Sequence, residues 1–180
     1  MFYIKNKFLD FLSKQARDVG LPVARKPANE KERLNEINRL NLIDKNLDDD
    51  RHINNVTELA CYLTGKPQCS INLLTEKSQL SKNNHGFSAT EKIMLKEIPR
   101  DISMCQYVLE APSEQLIIEN VKEHSKTRNF HKMSFAPNIQ FYAGTPIITS
   151  SGFTIGTLCI TDKVPGILNH SQKNGLRLLS

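Results

Sequence analysis

With 180 residues, 39% of them apolar and 24% charged, the chain is sized for one globular domain plus one or two extra helices. It carries no apolar run near the roughly 20 residues that span a bilayer, so no membrane span is expected, and a cytoplasmic location is. Its formal net charge of +5 is spread over lysines along the whole length, with no arginine-rich arm or helix-turn-helix signature, which speaks against nucleic acid as a partner.

The start, MFYIKNKFLDFLSKQ, interleaves lysines with apolar residues, unlike a signal peptide. It predicts an amphipathic helix over about 3–17 with Ile4, Phe8, Phe11 and Leu12 in one stripe. VGLPVARKP (19–27), with two prolines and a glycine, reads as a linker. In NEKERLNEINRL, Asn29 and Glu32 make a capping-box-like start and Leu34, Ile37 and Leu40 an apolar seam. A third helix over about 49–64 places Ile53, Val56, Ala60 and Leu63 on one face and ends at Gly65.

Past Gly65 the pattern changes to strands. CSINLLT (69–75) is one, with SQLSKN (78–83) as its partner through a tight connection. The polar segment 83–98 holds a short helix within SATEKIMLKEI. Ser103 then caps a helix through about Leu109, with Gln106 in the capping-box position. QLIIEN (115–120) is a strand, and 121–139 is irregular with one helical turn. Lys122, Lys126, Arg128 and Lys132 concentrate charge there against Glu123, as a solvated loop or as a face toward an anionic small molecule. IQFYAGTPIIT (139–149) and FTIGTLCITD (153–162) form a hairpin around SSG. Asn169 opens a last helix, with Gln172 in the box position and Leu176, Leu178 and Leu179 following. The sequence ends inside that helix, so an output domain is expected beyond it. Strands in the middle with helices at both ends predict an α+β fold, an antiparallel sheet with helices on one face.

The cysteines are Cys61, Cys69, Cys105 and Cys159, in apolar settings and without a CxxC pair. That is the pattern of small buried hydrophobes in a reducing compartment, although spacing alone leaves a disulfide open. The five histidines are dispersed, and no metal site is expected. On a helix, Cys105 shares a face with Val108 and Leu109, which favours packing on the sheet and an inert thiol; a pocket-lining or redox-sensitive thiol is the alternative. Asp101 sits at a helix N-terminus, and Arg100 either pairs with an acid or points into a pocket. Phe141 and Tyr142 alternate on a strand, so one faces the helices and the other the opposite side; which does which is undetermined.

ERLNEINRLNLID, CSINLLTEKSQLSK, PRDISMC, LIIENVKEHSKTRNF and IQFYAGTPIITSSGFTIGTLCITDKVP occur in the order of a GAF domain. The chain resembles the bacterial GAF domains found upstream of histidine kinase and diguanylate cyclase modules. The resemblance covers 29–180 and leaves 1–28 as an N-terminal helix and linker. It implies an antiparallel sheet of about five to six strands, with helices from both chain ends on one face and pocket loops on the other. Arg100, Asp101, Cys105, Phe130, Gln140 and Tyr142 become candidate pocket residues. Similar sequences carry a tryptophan on the strand after INLLTEK, where this chain has Leu80, and the segment 83–98 is longer and more polar; both differences are expected near the region that encloses a ligand.

The resemblance implies a noncatalytic sensory or regulatory module of a cytosolic bacterial signalling protein. It would bind an unknown small molecule or partner and pass the signal through terminal helices to a homodimer partner or an output domain. Some GAF domains reduce free methionine sulfoxide, which needs a low-pKa thiolate and a resolving thiol nearby. Cys105 and Cys159 can approach each other only through the fold, and neither has a neighbouring cysteine or histidine in sequence, so catalysis is not expected. No cofactor is identified: there is no metal or haem signature, and Cys105 is followed by Gln106 rather than by the histidine of bilin-binding relatives. The cyclic-nucleotide signature is missing too, with Phe130 followed by His131 and Lys132. A ligand-free dimerisation scaffold is a further alternative.

Overall fold

Polar and apolar residues alternate through the middle of the chain, and the strands they form are covered on both faces. A computed structural model describes residues 2–133 and 138–180, with side chains from residue 7 onward. In chain order the elements are α1 (Phe2–Asp18), α2 (Glu30–Arg39), α3 (Arg51–Thr64), β1 (Gln68–Leu74), β2 (Ser78–His85), α4 (Ala89–Leu95) and β3 (Glu97–Pro99). After two 3-10 helices, Arg100–Ile102 and Met104–Glu110, come β4 (Leu116–Ile118), β5 (Phe141–Ile148), β6 (Thr154–Asp162) and α5 (His170–Leu179). The six strands form one sheet in the order β3-β2-β1-β6-β5-β4, with every neighbouring pair antiparallel.

One face of the sheet presents Cys69, Phe141, Ala143, Leu158 and Ile160 to Ala60 and Cys61 of α3 and Leu176 of α5. Beside them Leu73 and Ile155 pack with Ile37 of α2. The other face presents Leu74, Tyr142 and Cys159 to the irregular layer, where Ile102, Cys105, Leu109 and Phe130 meet them. Phe141 therefore faces the helices and Tyr142 the loops. The period of two settles each strand's split, and the helices claim the more apolar side.

Contrary to the expectation that helices from both chain ends share one face, the N-terminal helix joins the loop side. Leu12 and Ala16 of α1 are buried in the same cluster as Cys105 and Tyr142, while Phe8 and Phe11 stand 44% and 50% exposed. Ile4 of the expected stripe lies outside the described side chains, as do residues 134–137 of the expected irregular segment. The segment read as a linker is docked: the Tyr107 hydroxyl donates to the Pro22 carbonyl at 2.6 Å, and the Ala24 and Arg25 amides donate to Gln106 at 2.9 Å and Glu110 at 3.0 Å.

Several local expectations change. The Asn29 side chain makes no capping bond: its backbone, at φ −95° and ψ 26°, lacks the extended conformation of a capping residue. The segment after Ser103 is a 3-10 helix rather than an α-helix. Ser103 caps it by accepting from the Cys105 amide at 3.0 Å, and Gln106 reaches the linker and the Asp101 carbonyl instead of closing a box. The helix expected within 88–98 stops at Leu95, and residues 97–99 form β3, which supplies the sixth strand. Leu80 faces the helix-side cluster with Ile37 and Leu73, so the missing tryptophan does not bear on the loop side as expected.

At the C-terminal helix the capping box is formed: Asn169 accepts from the Gln172 amide at 2.9 Å and Gln172 accepts from the Asn169 amide at 2.9 Å. Gln172 also donates to the Thr64 carbonyl of α3 at 3.0 Å. Asn169→Ala is expected to cost about 1 kcal/mol, seen as a lower urea midpoint with an unchanged m-value.

Candidate functional site

On the loop side, a cavity of about 60 Å³ opens between the sheet and the irregular layer. Its floor is built from alternate residues of three strands: Ser70 and Asn72 of β1, Tyr142 of β5, and Cys159 and Thr161 of β6. Gln79 of β2 and Ser103 join them.

 The apolar roof comes from Phe87, Leu95, Ile98, Ile102, Met104 and Phe130. Among the described lining residues none carries a charge.

Cys105 and Cys159, 54 residues apart in the chain, meet in this cavity with their sulfurs 3.3 Å apart. Neither cysteine has a neighbouring thiol in sequence, and the pairing of β1, β6 and β5 supplies one by bringing Cys159 under the 3-10 helix. The Asn72 amide donates toward both sulfurs, at 3.6 Å and 3.5 Å, and to the Ser70 hydroxyl at 2.9 Å. The Thr157 and Tyr142 hydroxyls lie 2.9 Å and 3.4 Å from Cys159. Burial raises the Cys105 thiol, but hydrogen bonds from Cys159, Thr157, Tyr142 and Ser103 outweigh it and bring its pKa to about 6. Burial and the hydrogen bond from Cys105 push Cys159 well above the ordinary thiol value. The pair thus releases one proton readily and holds the other. Burial also raises Tyr142, which keeps its phenol a donor.

One polar atom of the cavity lining has no use within the fold. Asn72 is 3% exposed, and its Oδ1 is buried without a hydrogen-bond partner among the described residues. Such an acceptor costs about 1–3 kcal/mol unless something donates to it. It belongs to a residue that lines the cavity.

Of the six residues expected at a pocket, Cys105, Phe130 and Tyr142 line this cavity and Arg100, Asp101 and Gln140 do not. Arg100 is taken by Glu30 and by the Thr75 carbonyl at 3.2 Å. Asp101 accepts from Ser13 of α1 at 2.9 Å, and Gln140 donates to Asn138 at 3.1 Å. In the basic stretch 121–132, Lys126 pairs with Glu110, and Lys122, Arg128 and Lys132 are exposed. Ser70, Asn72, Thr157 and Thr161 were missed, although each is a polar residue alternating with apolar ones in a strand. Among the described residues no three His, Cys, Asp or Glu side chains gather into a metal-sized group, and no helix is long and apolar enough to cross a membrane.

A second cavity, of about 240 Å³, lies on the helix side among Ile53, Val56, Ile71, Ile155 and Leu179. Its Lys82 amine is already held by the carbonyls of Ile43 and Lys45. The loop-side cavity, with convergent polar groups and an unused acceptor, is the better binding site.

The chain has the GAF fold. It superposes on the GAF domain of an Acinetobacter phosphoenolpyruvate-protein phosphotransferase with a TM-score of 0.55 and 17% identity, over 84% of this chain and 88% of that one. It superposes on a free methionine-R-sulfoxide reductase from Neisseria meningitidis with a TM-score of 0.52 and 16% identity, over 89% and 90%. In sequence it is 25% identical over 139 residues to a cyclic di-GMP phosphodiesterase of Pseudomonas aeruginosa, which covers 77% of this chain and 22% of that protein. No family model matches the chain. The fold is thus shared by a GAF domain of a phosphotransferase and by a sulfoxide reductase, so the fold alone does not assign an activity.

Proposed function

We propose that the chain is a noncatalytic sensory module of a cytosolic bacterial signalling protein, with 29–180 as the sensing domain and 1–28 as an appended helix and linker. It binds a small neutral molecule that offers an N–H or O–H group. The orphaned Asn72 acceptor in a cavity without a cationic side chain carries this reading. An anion entering there would lose its hydration without gaining a cation. Binding favours one arrangement of the loop layer, and the terminal helices pass that preference to a second copy or to an output domain. The exposed Phe8 and Phe11 of α1 and the 88%-exposed Leu178 of α5 are the surfaces offered for that contact. Light scattering behind size exclusion reads the dimer directly.

Acetamide, a small neutral amide, tests the ligand chemistry, with acetate as the anionic control. At a hundredfold excess over Kd, binding is expected to raise Tm by about 5–10 °C, and acetate is expected to give no shift. Asn72→Leu should weaken amide binding about tenfold or more. An equal shift with acetate, or an unchanged response in Asn72→Leu, would overturn the neutral-ligand reading.

A second reading is favoured by the 3.3 Å contact between Cys105 and Cys159, namely thiol-dependent reduction of free methionine sulfoxide. That substrate is a zwitterion, and the lining offers no charged partner to either of its ends. Turnover of free methionine sulfoxide that disappears in Cys105→Ser would replace the noncatalytic reading.

A further inference from the structure

We infer that Cys105 and Cys159 form an oxidation site, in which a small hydroperoxide joins them in a reversible disulfide across the cavity floor. Its regulatory consequence rests on the cavity being a ligand site; the oxidation itself does not.

The geometry is close to a disulfide already. A bonded pair has its sulfurs about 2.05 Å apart, so the 3.3 Å separation has to close by only about 1.2 Å. The two supports differ in stiffness. Cys159 lies in a central strand, opposite Ser70 on one side and Gly144 on the other. Cys105 lies in the 3-10 helix Met104–Glu110, whose hydrogen-bond geometry is poorer than that of an α-helix. Cys105 is therefore the partner that moves.

Access and chemistry agree with this. Both sulfurs are buried but line the cavity, and its volume of about 60 Å³ admits hydrogen peroxide while excluding glutathione. The Asn72 amide donates toward both sulfurs and the Thr157 and Tyr142 hydroxyls lie beside that of Cys159, polar surroundings that suit a thiolate better than an apolar core does. Cys105, having released its proton, attacks one peroxide oxygen. An S–O bond forms as the O–O bond breaks, and the departing hydroxide takes up that proton and leaves as water. Cys159 then gives up its proton and attacks the Cys105 sulfur. The S–S bond forms, the S–O bond breaks, and hydroxide with the Cys159 proton leaves as a second water. The two cysteines together lose two electrons and two protons, and the peroxide is reduced to two waters.

The disulfide would change the ligand site through Asn72. Its amide now donates toward both sulfurs, and disulfide sulfur is a poor acceptor. Oxidation leaves Ser70 as its partner and frees the amide to turn, moving the Oδ1 that the ligand would meet. Cys61 and Cys69 lie on the opposite, helix-side face and serve as the internal control.

The full chain is treated with hydrogen peroxide, denatured in N-ethylmaleimide and mapped by peptide mass spectrometry. The expected result is a loss of two hydrogen masses, a cross-linked peptide pair carrying Cys105 and Cys159, and full recovery of both thiols with dithiothreitol. Oxidised glutathione should leave the folded chain unmodified. The map is made on the unmutated chain, so it does not depend on a variant folding; Cys159→Ser additionally should leave Cys105 as a dimedone-trapped sulfenic acid. Alkylation of all four cysteines after peroxide, or a cross-link through Cys61 or Cys69 instead, would overturn the site. The acetamide shift is measured on reduced and oxidised protein alike. No shift in the reduced form sinks the ligand reading alone, whereas equal shifts in both forms sink the regulatory consequence.

Discussion

Glu30→Gln is expected to remove about 3–5 kcal/mol of folding stability, the cost of leaving a buried charge without its partner. Glu30 serves two arginines. Arg33 is 1% exposed and donates from Nε and Nη2 to the two Glu30 oxygens at 3.0 Å and 3.1 Å. Arg100, also buried, donates to the same carboxylate from the far side. The remaining guanidinium hydrogens go to the ends of strands: Arg33 to the Leu74 carbonyl at 2.6 Å and Arg100 to the Thr75 carbonyl at 3.2 Å. Glutamine keeps the shape but removes the one negative charge between two positive ones. Because Ile102 and Ser103 follow Arg100 and line the cavity, loosening this cluster should also broaden any ligand-induced thermal transition. Chemical denaturation checks the loss.

The same cluster predicts a pH dependence. Burial raises the Glu30 carboxyl, but hydrogen bonds and charge from Arg33 and Arg100 outweigh it and hold the pKa below the ordinary value of 4.5. A group depressed in the folded state adds stability in full above its unfolded pKa and loses it as pH falls through the folded one. The stability curves of the parent chain and Glu30→Gln should therefore lie farthest apart near neutrality and converge in acid below pH 4.5. Curves that stay parallel would show that the carboxylate charge is not what the arginines require.

Gly156→Val is expected to cost at least about 3 kcal/mol, at the upper end of overpacking effects. A Cβ at 156 would strike the Asn72 carbonyl oxygen and come within 3.2 Å of the Leu73 Cα. Gly156 pairs with Leu73 on one side and Ile147 on the other. What it meets is the backbone of a central strand, which has no rotamer to escape into. Gly144→Ala is the milder comparison, since its Cβ would meet the Tyr142 ring and Val108 Cγ2, both side chains. Urea denaturation of the two variants should rank Gly156→Val as the more damaging by a clear margin.

These positions explain why short stretches of the chain stand out. In GTLCITD the glycine is the close approach of β6 to β1, and in FYAGTPI it makes room for Tyr142. In PRDISMC the arginine ties the loop layer to α2 rather than reaching a ligand. The markers are largely structural, which is why they point to a fold more firmly than to a ligand.

Local pattern was enough for most elements, because strand and helix periods repeat every 2.0 and 3.6 residues and caps act within one turn. The α3, β5, β6 and α5 assignments and the Asn169 capping box all rest on such short-range signals. Partnerships across the chain needed the assembled sheet. Glu30 and Arg100 are 70 residues apart and Cys105 and Cys159 are 54 apart, and neither distance leaves a trace in local spacing. The strand order β1-β6-β5 joins the second pair, and the docking of α2 on the rim of the loop layer joins the first. The third strand was hidden for the same reason: three residues of EIP carry no period of their own and become a strand only because β2 offers them an edge.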